Sequence, residues 1–348
     1  MSGRIGLFFD GTWNFPAARL PDDSEISTNV YRLWLGFGGH DLDPESSTIE
    51  AAQETSFGKI FYIRGVGTSG SALQEKVDGA LGTGVLLRMA IAYAWFCKNY
   101  KIGDEILVFG FSRGAFTARS FSGLLDACGR QKSATTIPAA MSFVNRYLDG
   151  DRPGKSISVQ FAGLFDTVGS TVERQQHHKL SPANVRHVRH ALALDEKRRS
   201  FRPTYWNANG ATEVSEAWFA GAHSNVGGGY VNKSLSNIAQ FWVLKGAQHA
   251  GIPVNYYDFS GYDGERPGEG FIDSWLAWIK KLPPLIGHVA EATEIHRFTR
   301  QIAAGHRIHE SVFEAMSILG NYMPVATING SAIAPDMKDD LVAPWEFR

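Results

Sequence analysis

Two hydrophobic periods, one of two residues and one of about 3.6, alternate along the chain and lay out its architecture. Short runs rich in β-branched and aromatic residues recur at 4–9, 60–64, 105–111, 157–165 and 214–221, and this patterning predicts strands. Between most of them lie longer stretches with apolar residues at helical spacing, at Glu75–Tyr100, Arg113–Cys128, Asn184–Glu196 and Leu235–His249. Parallel strands need crossovers of a dozen residues or more. The alternation therefore predicts an α/β fold, with a mostly parallel, doubly wound sheet and helices on both faces. Residues 14–57 are less regular, rich in Asp, Glu, Ser and Gly, and carry a short helix around Thr28–Leu35; they are expected to form an insertion. From about residue 252 the rhythm gives way to aromatic and proline-rich segments, expected to be a C-terminal elaboration, a cap or lid, packed over the sheet. No repeat, low-complexity tract or sharp linker interrupts residues 1–348, so one decorated domain is expected.

Composition narrows the classes of function. At 348 residues the chain can bury a sizeable core. A formal net charge of -1 and a pI near 6.8 argue against a nucleic-acid partner, because neutralising phosphates needs a concentrated basic surface. The densest basic cluster, Lys197-Arg198-Arg199, follows a helical pattern and reads as a solvated helix end. Cys97 and Cys128 are the only thiols and lie in apolar surroundings, so no disulfide framework is expected and a reducing compartment fits. The stretch Ile5-Gly6-Leu7-Phe8-Phe9 is too short for a signal peptide's apolar region, and Arg88 and Lys98 interrupt the longest apolar helix. A cytoplasmic location at synthesis is expected, with export by a dedicated secretion system left open.

Chemistry concentrates where strands stop. The strand Glu105-Ile106-Leu107-Val108-Phe109 runs into Gly110-Phe111-Ser112-Arg113-Gly114 and then into a helical pattern, Ala115 to Leu125. A Gly-x-Ser-x-Gly turn from strand to helix forms a nucleophile elbow, which forces the serine into a strained backbone and projects its hydroxyl above the sheet. The pentapeptide alone is also compatible with an ordinary glycine-rich turn; the flanking strand and helix favour the elbow. Other strands end at Asp10-Gly11-Thr12, at Asp166-Thr167 and at His223, and in a parallel sheet those ends share one rim, where ligands bind. Ser112 needs an imidazole to take its proton, a role assigned to His223, and a carboxylate to orient that imidazole, assigned to Asp166. The backbone N–H groups of Arg113 and Gly11 are assigned to the oxyanion hole. Each assignment has a local alternative: Asp166 as an Asx-turn residue and His223 as a structural histidine beside Gly227-Gly228-Gly229. His309 is the rival base. His187 and His190, read as one helical turn apart, lack a third ligand of recognisable spacing, so no metal and no cofactor are expected.

Six ordered motifs carry a resemblance. They are Phe8-Phe9-Asp10-Gly11-Thr12-Trp13-Asn14, Gly65-Val66-Gly67-Thr68, the stretch Gly110 to Phe116, Phe165-Asp166-Thr167-Val168-Gly169-Ser170, the stretch Arg189 to Glu196, and the stretch Trp218 to Tyr230. Together with His309-Glu310-Ser311-Val312 they resemble the uncharacterised α/β-hydrolase domain family whose best-known members are phospholipase effectors of bacterial type VI secretion. The resemblance implies an α/β-hydrolase-like fold and a lipase-type triad at Ser112, Asp166 and His223. It implies an ester substrate, a phospholipid acyl ester among them, with transient contact to a membrane surface and a secretion-apparatus or immunity partner. Asn225 stands where the family usually has Asp.

Access to such a substrate points to Phe271-Ile272-Asp273-Ser274-Trp275-Leu276-Ala277-Trp278-Ile279-Lys280-Lys281-Leu282, where Phe271, Trp275 and Ile279 share one helical stripe that Trp278 and Leu282 widen; with Phe271, Trp275 and Trp278 as lid contacts it suits a lipid interface, or else plain core packing. Two other classes remain: a non-catalytic scaffold that kept the hydrolase fold, and a nucleotide-binding protein suggested by Gly65-Val66-Gly67-Thr68-Ser69-Gly70. The latter lacks an acidic residue about 20 positions on to hold a ribose.

Overall fold

Eight strands hydrogen-bond into one sheet because nearly every residue in its central members is apolar, and each face is covered. The computed structural model describes residues 3–12, 18–19, 25–44, 46, 48–65, 83–169, 180–207, 211–254, 298–302, 306–319 and 322–338. In chain order the strands are β1 (Arg4–Phe9), β2 (Glu50–Glu54), β3 (Lys59–Ile63), β4 (Glu105–Phe111), β5 (Val159–Phe165), β6 (Val185–Ala193), β7 (Glu213–Phe219) and β8 (Arg307–Ile308). Their order across the sheet is β8-β7-β6-β5-β4-β1-β3-β2. All pairings are parallel except β2 with β3.

Alternation with period two sends side chains into two separate cores. From β1, Ile5, Leu7 and Phe9 join one core and Phe8 the other; from β4, Ile106 and Val108 join the first, and Leu107, Phe109 and Phe111 the second. The helices α2 (Thr83–Asn99), α3 (Arg113–Cys128) and α4 (Ile137–Leu148) contribute to the first core, while α1 (Asn29–Gly36) and α6 (Ser234–His249) cover the opposite face. Between β7 and α6 lies the short helix α5 (His223–Gly227).

One local expectation differs from the structure. Asn184–Glu196 contains β6, a strand between β5 and β7, rather than a helix. Val185, Val188, Ala191 and Leu192 fall at a spacing close to helical, but pairing on both sides decides the conformation. His187 and His190 therefore stand on opposite faces: His187 is part-exposed beside Glu213, and His190 is buried. The irregular stretch 14–57 supplies α1 and the edge strand β2, whose Glu-Ala-Ala-Gln-Glu sequence is polar because it lies at the sheet's edge. The described C-terminal residues add β8 and α7 (Glu310–Leu319), whose Ile308, Val312, Phe313 and Met316 pack with Leu192 and Trp218. Among the described residues no helix is long and apolar enough to cross a membrane.

Candidate active site

Parallel pairing aligns the ends of four strands. Phe9 of β1 is level with Gly110 of β4, Phe111 with Phe165 of β5, and Phe165 with Ala191 of β6. The next residues along the chain are Asp10, Ser112 and Asp166, and His223 follows a short turn after β7. All four sequence-selected positions thus emerge at the carboxyl edge of the sheet.

Ser112 links β4 to α3 with φ 59° and ψ −127°, a conformation that side chains of L-residues rarely adopt. The bend is held: Ser112 N–H donates to Phe165 O at 3.0 Å, and Phe116 N–H donates to Ser112 O at 3.2 Å. Glycines flank it for a steric reason. A Cβ at Gly110 would stand 2.5 Å from Ala115 Cα, and one at Gly114 would stand 2.1 Å from Phe9 O and 2.3 Å from Asp10 O. Without those glycines α3 could not start so close to β1.

His223 and Asp166 are directly bonded, with His223 Nδ1 2.5 Å from Asp166 Oδ2. The imidazole packs on Phe111, the residue before Ser112, at a ring separation of 4.6 Å, and Phe201 meets it edge-on at 4.8 Å. Among the described residues Nε2 of His223 makes no hydrogen bond, and neither does Ser112 Oγ. Burial lowers the histidine's pKa and the bond to Asp166 offsets only part of that, so the ring is neutral at ordinary pH. Asp166 is fully buried, which would raise its pKa, yet Arg300 and His223 hold it well below the usual carboxylate range.

Sequence reasoning missed that arginine. Arg300 donates from one nitrogen to Asp166 Oδ1 at 2.6 Å and from the other to Oδ2 at 2.9 Å, with both side chains fully buried. Also missed was the support for the acid's turn: Thr167 N–H donates to His190 Nε2 at 3.1 Å, and His190 Nδ1 lies 2.6 Å from Glu216 Oε1. Glu216 in turn accepts from Trp206 N–H at 2.9 Å and pairs with His306 at 3.1 Å. Arg300 stands in no motif, and His190, which does, has its partner Glu216 outside it. Each depends on partners distant in sequence.

The remaining candidates divide. Arg113 opens α3, where N–H groups lack intrahelical acceptors, as an oxyanion donor requires. Gly11 N–H donates to Asp10 Oδ1 at 2.6 Å, because the buried Asp10 carboxylate claims the nearest amide. His309 sits on Ser311, whose N–H it accepts, and stacks on Phe219 at 4.6 Å; it is His223 that meets Asp166. Asn225 Oδ1 accepts Ala222 N–H at 3.0 Å and so caps the turn that presents His223. Phe271, Trp275 and Trp278 lie outside the described residues, as do residues 66–70 of the glycine-rich stretch. Among the described residues no group of three or more His, Cys, Asp or Glu side chains could hold a metal.

A mostly parallel sheet with a strained serine, an imidazole and a carboxylate at its carboxyl edge defines an α/β-hydrolase-like protein. The model of the T6SS phospholipase effector Tle1-like catalytic domain matches residues 4–149 and 145–246, and the chain belongs to that family. The uncharacterised Saccharomyces cerevisiae protein YEL023C is 27% identical over 158 residues, which are 38% of this chain and 23% of that protein. The chain therefore spans less than a quarter of that relative's length. Among solved structures, an uncharacterised Pseudomonas aeruginosa protein aligns with TM-score 0.49 and 18% identity over 84% of this chain and 53% of its own. A Tle1 effector bound to the VgrG spike of the type 6 secretion system aligns with TM-score 0.35 and 23% identity over 66% of this chain and 52% of its own.

Proposed function

We propose that this chain is a serine ester hydrolase acting on phospholipid acyl esters. The observation that carries the reading is the bond between His223 and Asp166 at the rim where the strained Ser112 stands. Family membership supports the phospholipid as substrate class. In the reaction Ser112 Oγ attacks the acyl carbonyl carbon while its proton passes to His223 Nε2, the nitrogen with no partner among the described residues. The Arg113 N–H faces the carbonyl oxygen as it becomes an oxyanion. Collapse breaks the C–O bond to the leaving alcohol, which takes the proton from Nε2, leaving an acyl group on Ser112. Water, deprotonated by the same nitrogen, then releases the fatty acid and restores the serine. Asp166 holds His223 in the Nδ1–H tautomer throughout and stabilises the imidazolium without being protonated.

By family, the same proposal includes a type VI secretion apparatus as partner and a membrane surface as the place of action. The test is to label the purified chain with a fluorophosphonate and to assay fatty-acid release from phospholipid vesicles and from a short-chain nitrophenyl ester. Ser112→Ala should abolish labelling and lower turnover by about 10⁶, since residues acting as a unit are lost together. Wild type that labels no faster than Ser112→Ala would leave a non-catalytic scaffold as the correct reading.

A further inference from the structure

The family match ends at residue 246, yet the acid of the candidate site is completed from beyond it. Arg300 grips both carboxylate oxygens of Asp166 and also donates to Ala193 O at 2.7 Å and to Phe201 O at 2.6 Å. Its own backbone is fixed in turn. Thr327 N–H donates to Arg300 O at 3.0 Å, Ile302 N–H donates to Thr327 O at 2.9 Å, and Phe298 N–H donates to Lys197 O at 2.8 Å. Its guanidinium thus joins the end of β5, the end of β6 and the turn that carries Phe201, and its backbone ties them to the segment at Thr327.

We propose that Arg300 is a positioning residue of the hydrolase, clamping Asp166 so that one carboxylate lone pair faces His223 while the negative charge is shared between a guanidinium and an imidazole. This rests on the serine hydrolase reading for its catalytic consequence, but the clamp has a physical consequence of its own. A carboxylate whose charge is neutralised by a permanent cation stabilises a neighbouring imidazolium less than one held by neutral donors does. His223 is faced by Asp166 from the end of β5 and by Glu196 and Arg198 from the turn after β6, while Arg300 reaches it only through Asp166. Glu196 is itself bound by Arg198 through two nitrogens at 2.8 Å, so each acid beside the imidazole is already matched by an arginine. Burial lowers the ring's pKa first, and acids matched in this way offset only part of that, so the ring stays neutral and able to act as a base.

Removing a unit charge a few ångströms away, at an effective dielectric of about 20, moves a pKa by about one to two units. The experiment uses the full chain with three proteins: wild type, Arg300→Gln, and Arg300→Lys, which keeps the charge but loses the fork. Two quantities are read, the pH dependence of fluorophosphonate inactivation and the NMR titration of the His223 ring. Wild-type His223 should titrate below the ordinary histidine value of about 6.5. Arg300→Gln should raise the acid limb of inactivation by about one to two units, and Arg300→Lys should return most of that shift. An acid limb unchanged in folded Arg300→Gln overturns the proposal, and so does a wild-type His223 that titrates at or above about 7. The wild-type titration can overturn the proposal by itself, while a low value, which burial alone also produces, leaves the decision to the acid limb of Arg300→Gln or, where that variant does not fold, of the equally uncharged Arg300→Met. Absent labelling of the wild type combined with a depressed His223 titration would remove the hydrolase reading and leave the clamp intact.

Discussion

Replacing Ser112 by glycine and, separately, by alanine isolates the strain stored at the elbow. Both variants lose the hydroxyl, so their difference reports only on the backbone and one methyl group. At φ 59° and ψ −127° an L-residue pays about 1–3 kcal/mol, and the conformation lies at the unfavourable end of that range. Glycine relieves the strain but loses about 0.4–1 kcal/mol to the extra freedom of its unfolded chain. It also forfeits up to about 0.8 kcal/mol from the buried methyl group, Ser112 being 4% exposed. The balance favours Ser112→Gly over Ser112→Ala by about 1 kcal/mol. Urea unfolding measures it as a shift in midpoint at constant slope. Ser142, an exposed residue within α4, supplies the control: there Ser142→Gly should be less stable than Ser142→Ala by about 0.8–1 kcal/mol, the ordinary helical penalty. If glycine is the worse choice at both positions, the elbow is not strained and the argument for an activated serine loses its structural basis.

Asp166→Asn should cost about 3–5 kcal/mol of stability in thermal or urea unfolding, because Arg300 is left buried without its anion, and should lower turnover by about 10⁴ through the wrong imidazole tautomer. Asp10 has the opposite sign to Asp166: burial raises its pKa from 3.8 to about 6, so the native state binds more protons than the unfolded chain between those values. Stability should fall as pH rises from about 4 to 6, by on the order of 3 kcal/mol from this group, and the difference between wild-type and Asp10→Asn unfolding curves across that window should show it. Gly114→Ala should destabilise by about 1–3 kcal/mol and reduce fluorophosphonate labelling, because its methyl group would overlap the backbone oxygens of Phe9 and Asp10.

What could be read from the chain alone tracks how local each cause is. The elbow was legible because its requirements lie in one continuous stretch, Glu105 to Leu125: an apolar strand, two glycines where a Cβ would collide, and a helix. The shared rim was legible because parallel strands end on one side, which brought Asp166 and His223 into view at a separation of 57 residues. β6 was not, since its near-helical spacing was overruled by partners on both sides. Arg300 and the pairing of His190 with Glu216 were invisible for a related reason: a buried ion pair is defined by where two segments meet, and neither Arg300 nor Glu216 sits in a pattern of its own. At Gly11 the adjacent Asp10 side chain accepts the N–H, a contact that no spacing in the sequence indicates.

The buried acids along this rim divide by the kind of partner each has, and the division explains their different protonation. Asp166 meets Arg300, Glu196 meets Arg198, and Glu216 meets two histidines; in each the partner more than offsets burial and the pKa falls. Asp10 accepts from Gly11 N–H and from the Tyr62 and Thr28 hydroxyls, and Asp195 from Gly221 N–H, Val325 N–H and the Tyr322 hydroxyl. Those neutral donors do not cancel the cost of burial, and both pKa values rise. The two groups therefore control different properties. Acids matched to arginine stay ionised while pH falls, so the site's acid limit is set by the imidazole they hold. Acids matched to neutral donors take up protons first, and Asp10 does so while holding the Gly11 amide. Acidification from pH 7 to 5 should then reach the Asp10–Gly11 contact before it reaches the bond between Asp166 and His223. A shift in the Gly11 amide resonance that tracks an apparent pKa near 6, with the His223–Asp166 proton unchanged, is the expected observation. Simultaneous change of both signals would mean that the two acids titrate as one network.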